Sequence, residues 1–298
     1  MVANATAAES GASEAEWSNW LGRTETRAEL VSPDRVAALA AILDIDQPPR
    51  SGAPLPPGWH WVFFNSVVLR RELGVDGHPK RGGFLPPIAL PRRMWAGGRI
   101  EYPSALSVGK EAVRTSTITK IESKSGRAGQ LVFVTVTHSI SCDGVVCISE
   151  EQDLVYRDAS KAGATAAAAA PAPDGAEWRQ EIQPDTILLF RYSALTSNGH
   201  RIHYDQSYAR DEEGYPALVV HGPLTATLLQ NFAAQRRPNE RLVQFEFRGV
   251  HPLFVTAPFT LEAAPGEAAA GAISPQLRLW ARGPGGELAM RASATFSS

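Results

Sequence analysis

The sequence predicts an α+β protein built from two similar halves, each a helix wrapped by an antiparallel sheet. Three observations support this. A stretch rich in alanine and proline, residues 159–177, contains Ala-Thr-Ala-Ala-Ala-Ala-Ala-Pro-Ala-Pro-Asp-Gly. It has no apolar periodicity and reads as an extended linker. Each half ends in a run of segments with strand character, and each carries a helical pattern ahead of that run. The expected organisation is a disordered tail at 1–16, a module at 17–158, the linker at 159–177 and a second module at 178–298.

In the first half, Ser32-Pro33-Asp34 is a helix start, with serine as cap and proline in the first turn. Val36, Leu39, Ala40 and Leu43 give that helix an apolar face. An aromatic run, Trp59 to Phe64, follows, and then a glycine- and proline-rich loop from Gly74 to Gly98. Residues 112–123, 131–141 and 145–156 are β-branched and read as strands. In the second half, 186–190 reads as a short apolar strand and 218–234 as a helix with Leu224, Leu228, Leu229 and Phe232 on one face. Residues 242–248, 259–263, 275–281 and 288–296 read as strands.

Composition narrows the function. Apolar residues make up 44% and charged residues 20% of 298 positions, as in soluble globular proteins. The net charge of −2 supplies no field toward nucleic acid or an anionic membrane, and no apolar run approaches a membrane span. The N-terminus lacks a basic start followed by an apolar core, so the expected compartment is the cytoplasm. Cys142 and Cys147 flank a turn between two strand segments. A cross-hairpin disulfide fits that geometry, and so do two reduced thiols. Phosphate-loop, dinucleotide and nucleophile-elbow motifs are missing.

The densest polar constellation spans 190–223. Asn198, His200, His203 and Asp205 fall within eight positions, with Tyr192 upstream. His221-Gly222-Pro223 opens the second-half helix downstream. Polar side chains facing a helix N-terminus make a place to hold a carbonyl oxygen and move a proton beside it. The three histidines with Asp205 match no metal-ligand spacing, and no metal is expected.

This stretch resembles the active-site segment of MaoC-like enoyl-CoA hydratases and dehydratases. Their pattern is an aspartate, then Asn-Pro, an aliphatic residue, and a histidine five positions after the aspartate. Here Ile202-His203 matches the last two, while Asn198, His200 and Arg201 stand where the family has Asp, Asn and Pro. With Tyr192-Ser193-x-Leu195-Thr196, His221-Gly222 and Gly77-His78-Pro79-Lys80-Arg81-Gly82-Gly83-Phe84-Leu85-Pro86-Pro87, the chain is similar to a subgroup of two fused hotdog modules. The resemblance implies a double hotdog fold and hydration of an enoyl-CoA. A branched C5-dicarboxylic thioester is implied as substrate: itaconyl-CoA or mesaconyl-C4-CoA, giving citramalyl-CoA. It implies no cofactor, an acyl-CoA as partner and substrate, and a catalytic second module whose pocket the first module shapes. A homodimer stays open.

Under this reading His203 is the acid–base group, since imidazole both accepts and returns a proton near neutral pH. The alternative is a core histidine bonded to backbone. Asn198 orients water through its amide oxygen but cannot deprotonate it. The N–H of Gly222 faces the thioester oxygen, where a side chain would crowd the substrate. Asp205 either replaces the missing carboxylate, fixes the imidazole tautomer, or caps a helix at 206–212. His200, His221 and Tyr192 are supporting candidates. Arg201, Lys80, Arg81, Arg92 and Arg93 are candidates for the CoA phosphates or a substrate carboxylate. Three rival functions remain: a straight-chain 3-hydroxyacyl-thioester dehydratase, a hotdog thioesterase, and a non-catalytic acyl-CoA-binding protein.

Overall fold

A computed structural model describes residues 17–126, 129–158, 169–266 and 276–297. The tail expected at 1–16 and the first part of the expected linker, 159–168, lie outside the described residues. The first half contains β1 (Thr24–Leu30), α1 (Pro33–Ile42), β2 (Arg92–Glu101), β3 (Glu111–Gly126), β4 (Gly129–Cys142) and β5 (Val145–Arg157). The second contains β6 (Trp178–Ile182), α2 (Thr186–Leu195), α3 (Gly222–Arg236), β7 (Arg241–Gly249), β8 (Phe259–Pro265), β9 (Gln276–Arg282) and β10 (Leu288–Ser297).

All ten strands form one antiparallel sheet in the order β1-β3-β4-β5-β2-β7-β10-β9-β8-β6. Read from each outer edge, both halves have the same topology: first, third, fourth, fifth and second strand. This is the fold-level duplication expected from the sequence. The halves join where β2 pairs with β7, Gly97 opposite Arg248 and Ile100 opposite Phe245. A Cβ on Gly97 would lie 2.5 Å from the Phe247 carbonyl oxygen, and one on Gly98 2.8 Å from that of Glu151. Gly97 therefore permits the close approach at the seam, and Gly98 that of β2 to β5. Joining there covers one edge of each module.

The strands follow their period of two: on β4, Val132, Val134, Val136, His138 and Ile140 are buried. Ser32 caps α1, its Oγ accepting from Asp34 N at 3.2 Å. Helix α3 is the one the second half wraps. Leu224, Leu229, Phe232 and Ala233 are buried, and so are Thr225, Thr227 and Gln230, so the helix has little solvent face. The first half touches it as well: Tyr102 OH donates to Gln230 Oε1 at 2.6 Å, and Trp59 Nε1 to Asn231 Oδ1 at 3.0 Å. Those contacts seat the aromatic run 59–64, most of it buried.

Three local expectations change. Residues 186–190 begin α2 rather than a strand, because Asp185 Oδ1 accepts from Leu188 N at 2.7 Å and caps a helix that runs to Leu195. Residues 169–177 are not a free linker. Ala172 is buried against Ala264 and Trp280, and its N–H donates to Gly286 O at 2.9 Å. The loop expected from Gly74 to Gly98 ends at Arg92, where β2 begins. Cys142 and Cys147 are free thiols. No described helix is long and apolar enough to cross a membrane.

Candidate active site

A cavity of about 1120 Å³ lies between the halves. From the second half, Tyr192, Asn198, His200, His203 and Gly222 line it. From the first, the loop 76–86 and strand residues including Arg93 and Glu150 line it.

The segment after α2 is shaped locally. Asn198 N–H donates to Ser193 O at 2.9 Å, and Asn198 Oδ1 accepts from His200 N at 3.1 Å. That bond orients the side chain, leaving its NH₂ as donor. The oxygen expected to hold water is thus engaged with backbone. A single turn, Arg201–His203, then carries His203 into the wall. His203 is 7% exposed, and its Nδ1–H donates to Val219 O at 2.7 Å. The carbonyl fixes the tautomer and leaves Nε2 as the acceptor. Burial lowers its pKa to about 4 against the opposing pull of the Val219 carbonyl, so the ring is neutral at pH 7.

His221 does not line the cavity. It lies fully buried behind His203, the rings stacked with centroids 3.7 Å apart, and its Nε2 meets Ser193 Oγ at 2.8 Å. It supports the His203 ring from behind. Gly222, the first residue of α3, follows directly. Its N–H lacks an acceptor within the helix by the geometry of a first turn. A Cβ built on it meets no atom within 4 Å, so the space beside it is open.

Two further candidates, besides His221, fall outside the cavity wall. Asp205 accepts from Tyr208 N at 3.1 Å and from Arg201 Nε and Nη2 at 3.0 and 2.8 Å. It caps the next helical turn, and the Val219 carbonyl, not Asp205, fixes the His203 tautomer. Arg201 is held by Asp205, by Val75 O at 3.0 Å, and over the Tyr208 ring. Of the remaining cations, Arg92 is paired with Glu213 at 3.1 Å. Arg81 donates to the carbonyls of Ile88 and Pro91. Lys80 is exposed at the rim. Arg93 lies near His78, His200 and Tyr156, and no ion pair joins it to a carboxylate among the described residues.

Sequence reasoning missed two parts of the wall. One is Asp76 with His78, whose Nδ1 lies 3.1 Å from Asp76 Oδ2. The His78 ring is 4.2 Å from that of His200, which stands 5.5 Å from His203. Asp76-Gly77-His78 was legible as a carboxylate and an imidazole across a glycine turn, but nothing local ties it to residues 120 positions away. The tie is backbone: Arg201 N–H donates to Asp76 O at 2.9 Å, and Gly77 and Gly199 abut. The other is Glu150, buried with His60 at 3.1 Å and Trp61 Nε1 at 2.8 Å. Burial would raise its pKa, but bonding to His60 brings it down to about 2, so it is a fixed charge.

A double hotdog sheet, a wrapped helix whose N-terminus opens onto a cavity, and an imidazole beside that terminus define a hotdog hydratase or dehydratase. Similar proteins agree. The solved structure of a MaoC-like dehydratase superposes with a TM-score of 0.70 at 14% identity, covering 93% of this chain and 98% of that one. A Mycobacterium tuberculosis protein with a double hotdog fold gives 0.57 at 14% identity over 93% and 96%. The mesaconyl-C(4)-CoA hydratase of Chloroflexus aurantiacus is 44% identical over 94% of this chain and 98% of its own length. Residues 58–255 match the family model Htd2, hydroxyacyl-thioester dehydratase type 2. The chain belongs to that family and is a hydro-lyase of the enoyl-thioester hydratase type.

Proposed function

We propose that the enzyme adds water reversibly to a branched C5-dicarboxylic enoyl-CoA, mesaconyl-C4-CoA or itaconyl-CoA, forming citramalyl-CoA. Water adds to the β-carbon while the alkene electrons move onto the thioester oxygen. The N–H of Gly222, with the α3 dipole behind it, stabilises that oxygen. His203 Nε2 polarises the water and serves as base in hydration and acid in the reverse direction. The Asn198 NH₂ donates to the water oxygen and orients it. Redox state does not change, so no cofactor is required, and a cytoplasmic setting with CoA thioesters suits the reaction.

The observation that carries the hydratase reading is His203, its Nδ1 bonded to the Val219 carbonyl and its Nε2 left free beside the open N-terminus of α3. The dicarboxylic substrate is supported by Arg93, a guanidinium on the wall without a carboxylate partner among the described residues, and by the likeness to the Chloroflexus enzyme. Lys80, at the rim, is placed for the CoA phosphates.

The test is a mass-spectrometric assay with mesaconyl-C4-CoA, itaconyl-CoA and crotonyl-CoA. A gain of one water on the dicarboxylic thioesters, well above crotonyl-CoA, is the expected result. Hydration of crotonyl-CoA alone would keep the chemistry and discard the C5-dicarboxylate. Release of free CoA without hydration would make the protein a thioesterase.

A further inference from the structure

Asn198 stands where the MaoC-like pattern has an aspartate; its amide takes no proton, and its oxygen is bonded to the His200 N–H. His203 alone serves the reaction poorly. Taking the proton makes it an imidazolium in a buried place, with a neutral carbonyl at Nδ1 and the His221 ring stacked on it. Of the four imidazoles His78, His200, His203 and His221, His78 alone has a carboxylate on its ring, Asp76 Oδ2 at 3.1 Å from Nδ1. A carboxylate at Nδ1 fixes the tautomer, aims Nε2, and balances the charge when the ring is protonated.

We propose that His78, backed by Asp76, is a second acid–base group at the same water, supplied by the N-terminal module in place of the carboxylate absent at position 198. Four features of the structure support this. His78 lines the cavity, and its ring packs on that of His200, which packs edge-on against His203. Asp76 is held at both oxygens, Oδ1 by the His78 N–H at 3.0 Å and Oδ2 by the ring. The loop is fixed to the catalytic segment by Arg201 N–H on Asp76 O and by the Gly77–Gly199 contact. Burial would raise the Asp76 pKa, but the hydrogen bonds from the His78 ring and N–H win, and the carboxyl stays well below its usual range, ionised. Burial holds the His78 pKa low despite Asp76, so the ring starts neutral, as a base must. The charges facing His78 are Asp76, Arg81 and Arg93, with the His200 and His203 rings beside it.

The step balances without a co-reactant. The water oxygen bonds to the β-carbon as one O–H bond breaks, and that proton passes to Nε2 of His78, which takes over the transfer assigned above to His203 alone. The other hydrogen stays on the new hydroxyl, held by Nε2 of His203. The alkene pair moves to the thioester oxygen at Gly222, and the enolate then takes the proton from His78 at the α-carbon.

This rests on the hydratase reading and is tested with the full chain, using whichever thioester the wild type hydrates. The variants are Asp76→Asn, His78→Gln and His203→Gln. Asp76→Asn keeps the acceptor for the His78 N–H, so it retains the turn. His78→Gln is expected to lower kcat by about 10²-fold, the usual size for a lost acid–base group, with KM nearly unchanged. Asp76→Asn is expected to lower kcat and to move the acidic limb of kcat/KM to lower pH, because removing the carboxylate lowers the His78 pKa. A purely structural role for the pair would leave that limb in place. Folded His78→Gln and Asp76→Asn variants with near-wild-type kcat, beside a disabled His203→Gln, would overturn the second group and keep the hydratase. A folded wild type that hydrates none of the thioesters would overturn both.

Discussion

The contact between Gly77 and Gly199 can be loosened with one methyl group. Gly77 has φ +88°, and a Cβ there would lie 1.8 Å from the Gly199 carbonyl oxygen, where ordinary contact begins at 3.4 Å. In Gly77→Ala the loop must therefore recede by roughly 1.6 Å from the segment that carries Gly199 and His200. A displacement of about 1 Å at a catalytic group costs on the order of 10²-fold in rate. The variant also forces alanine into left-handed backbone, at about 1–2 kcal/mol. Gly82→Ala controls for that second cost. Its φ is +86°, on the same loop, and its Cβ would meet nothing closer than Pro87 Cβ at 3.7 Å. Steady-state kinetics and thermal unfolding of both variants separate the two effects. We expect Gly77→Ala to lose about 10²-fold or more in kcat and Gly82→Ala to stay within a few-fold of wild type, with both folded. Equal activities would refute the reasoning, since the loop's distance from His200 would then not matter.

His203→Ala should lower turnover by about 10²-fold or more, measured by single-substrate kinetics on the folded variant. Arg93→Gln should raise KM for a dicarboxylic thioester by about 10-fold or more, the scale of one lost charged hydrogen bond, and leave crotonyl-CoA kinetics unchanged. Parallel losses on both substrates would remove Arg93 from carboxylate recognition. Stability should fall as pH drops from 6.5 to 4. In that window the unfolded chain protonates His203 while the folded chain, with the ring held near pKa 4, does not. The cost at pH 4 from this one ring is on the order of 3 kcal/mol, read by denaturant unfolding at pH 7.5 and 4.5. In His203→Gln the loss should shrink by that amount, and an identical loss would show that other groups carry it.

The duplicated sheet was legible because β7 to β10 of the second half, and β3 to β5 of the first, carry apolar patterns of strand length, whereas β6 (Trp178–Ile182) went unread. The strand β1 escaped notice because Thr-Glu-Thr-Arg-Ala-Glu-Leu at a sheet edge lacks a buried face. Residues 186–190 form a helix rather than the expected strand because a run of four apolar residues suits helix and strand alike, and the Asp185 cap decides the matter. His203, Asn198 and Gly222 could be found from one short segment. Asp76 and His78 could not, because their place depends on a docking between two modules that leaves no periodicity in either. Asp205 and Arg201, so near His203 in sequence, turn away because each satisfies the other in a salt bridge.

An open sheet of ten strands still has two ends, and one of them bears on how copies of this molecule meet. Along β1, Glu25, Arg27 and Glu29 share one half-buried face, with Arg27 paired to Glu25 and Glu29 to Arg35. If two such edges met antiparallel and centred, Arg27 would face Arg27 and each Glu25 would face a Glu29. Like charges placed directly opposite each other repel, so growth of the sheet by strand addition is disfavoured at that end. The duplication that gave the enzyme one long sheet thus comes with a terminus that resists adding an eleventh strand from a neighbour.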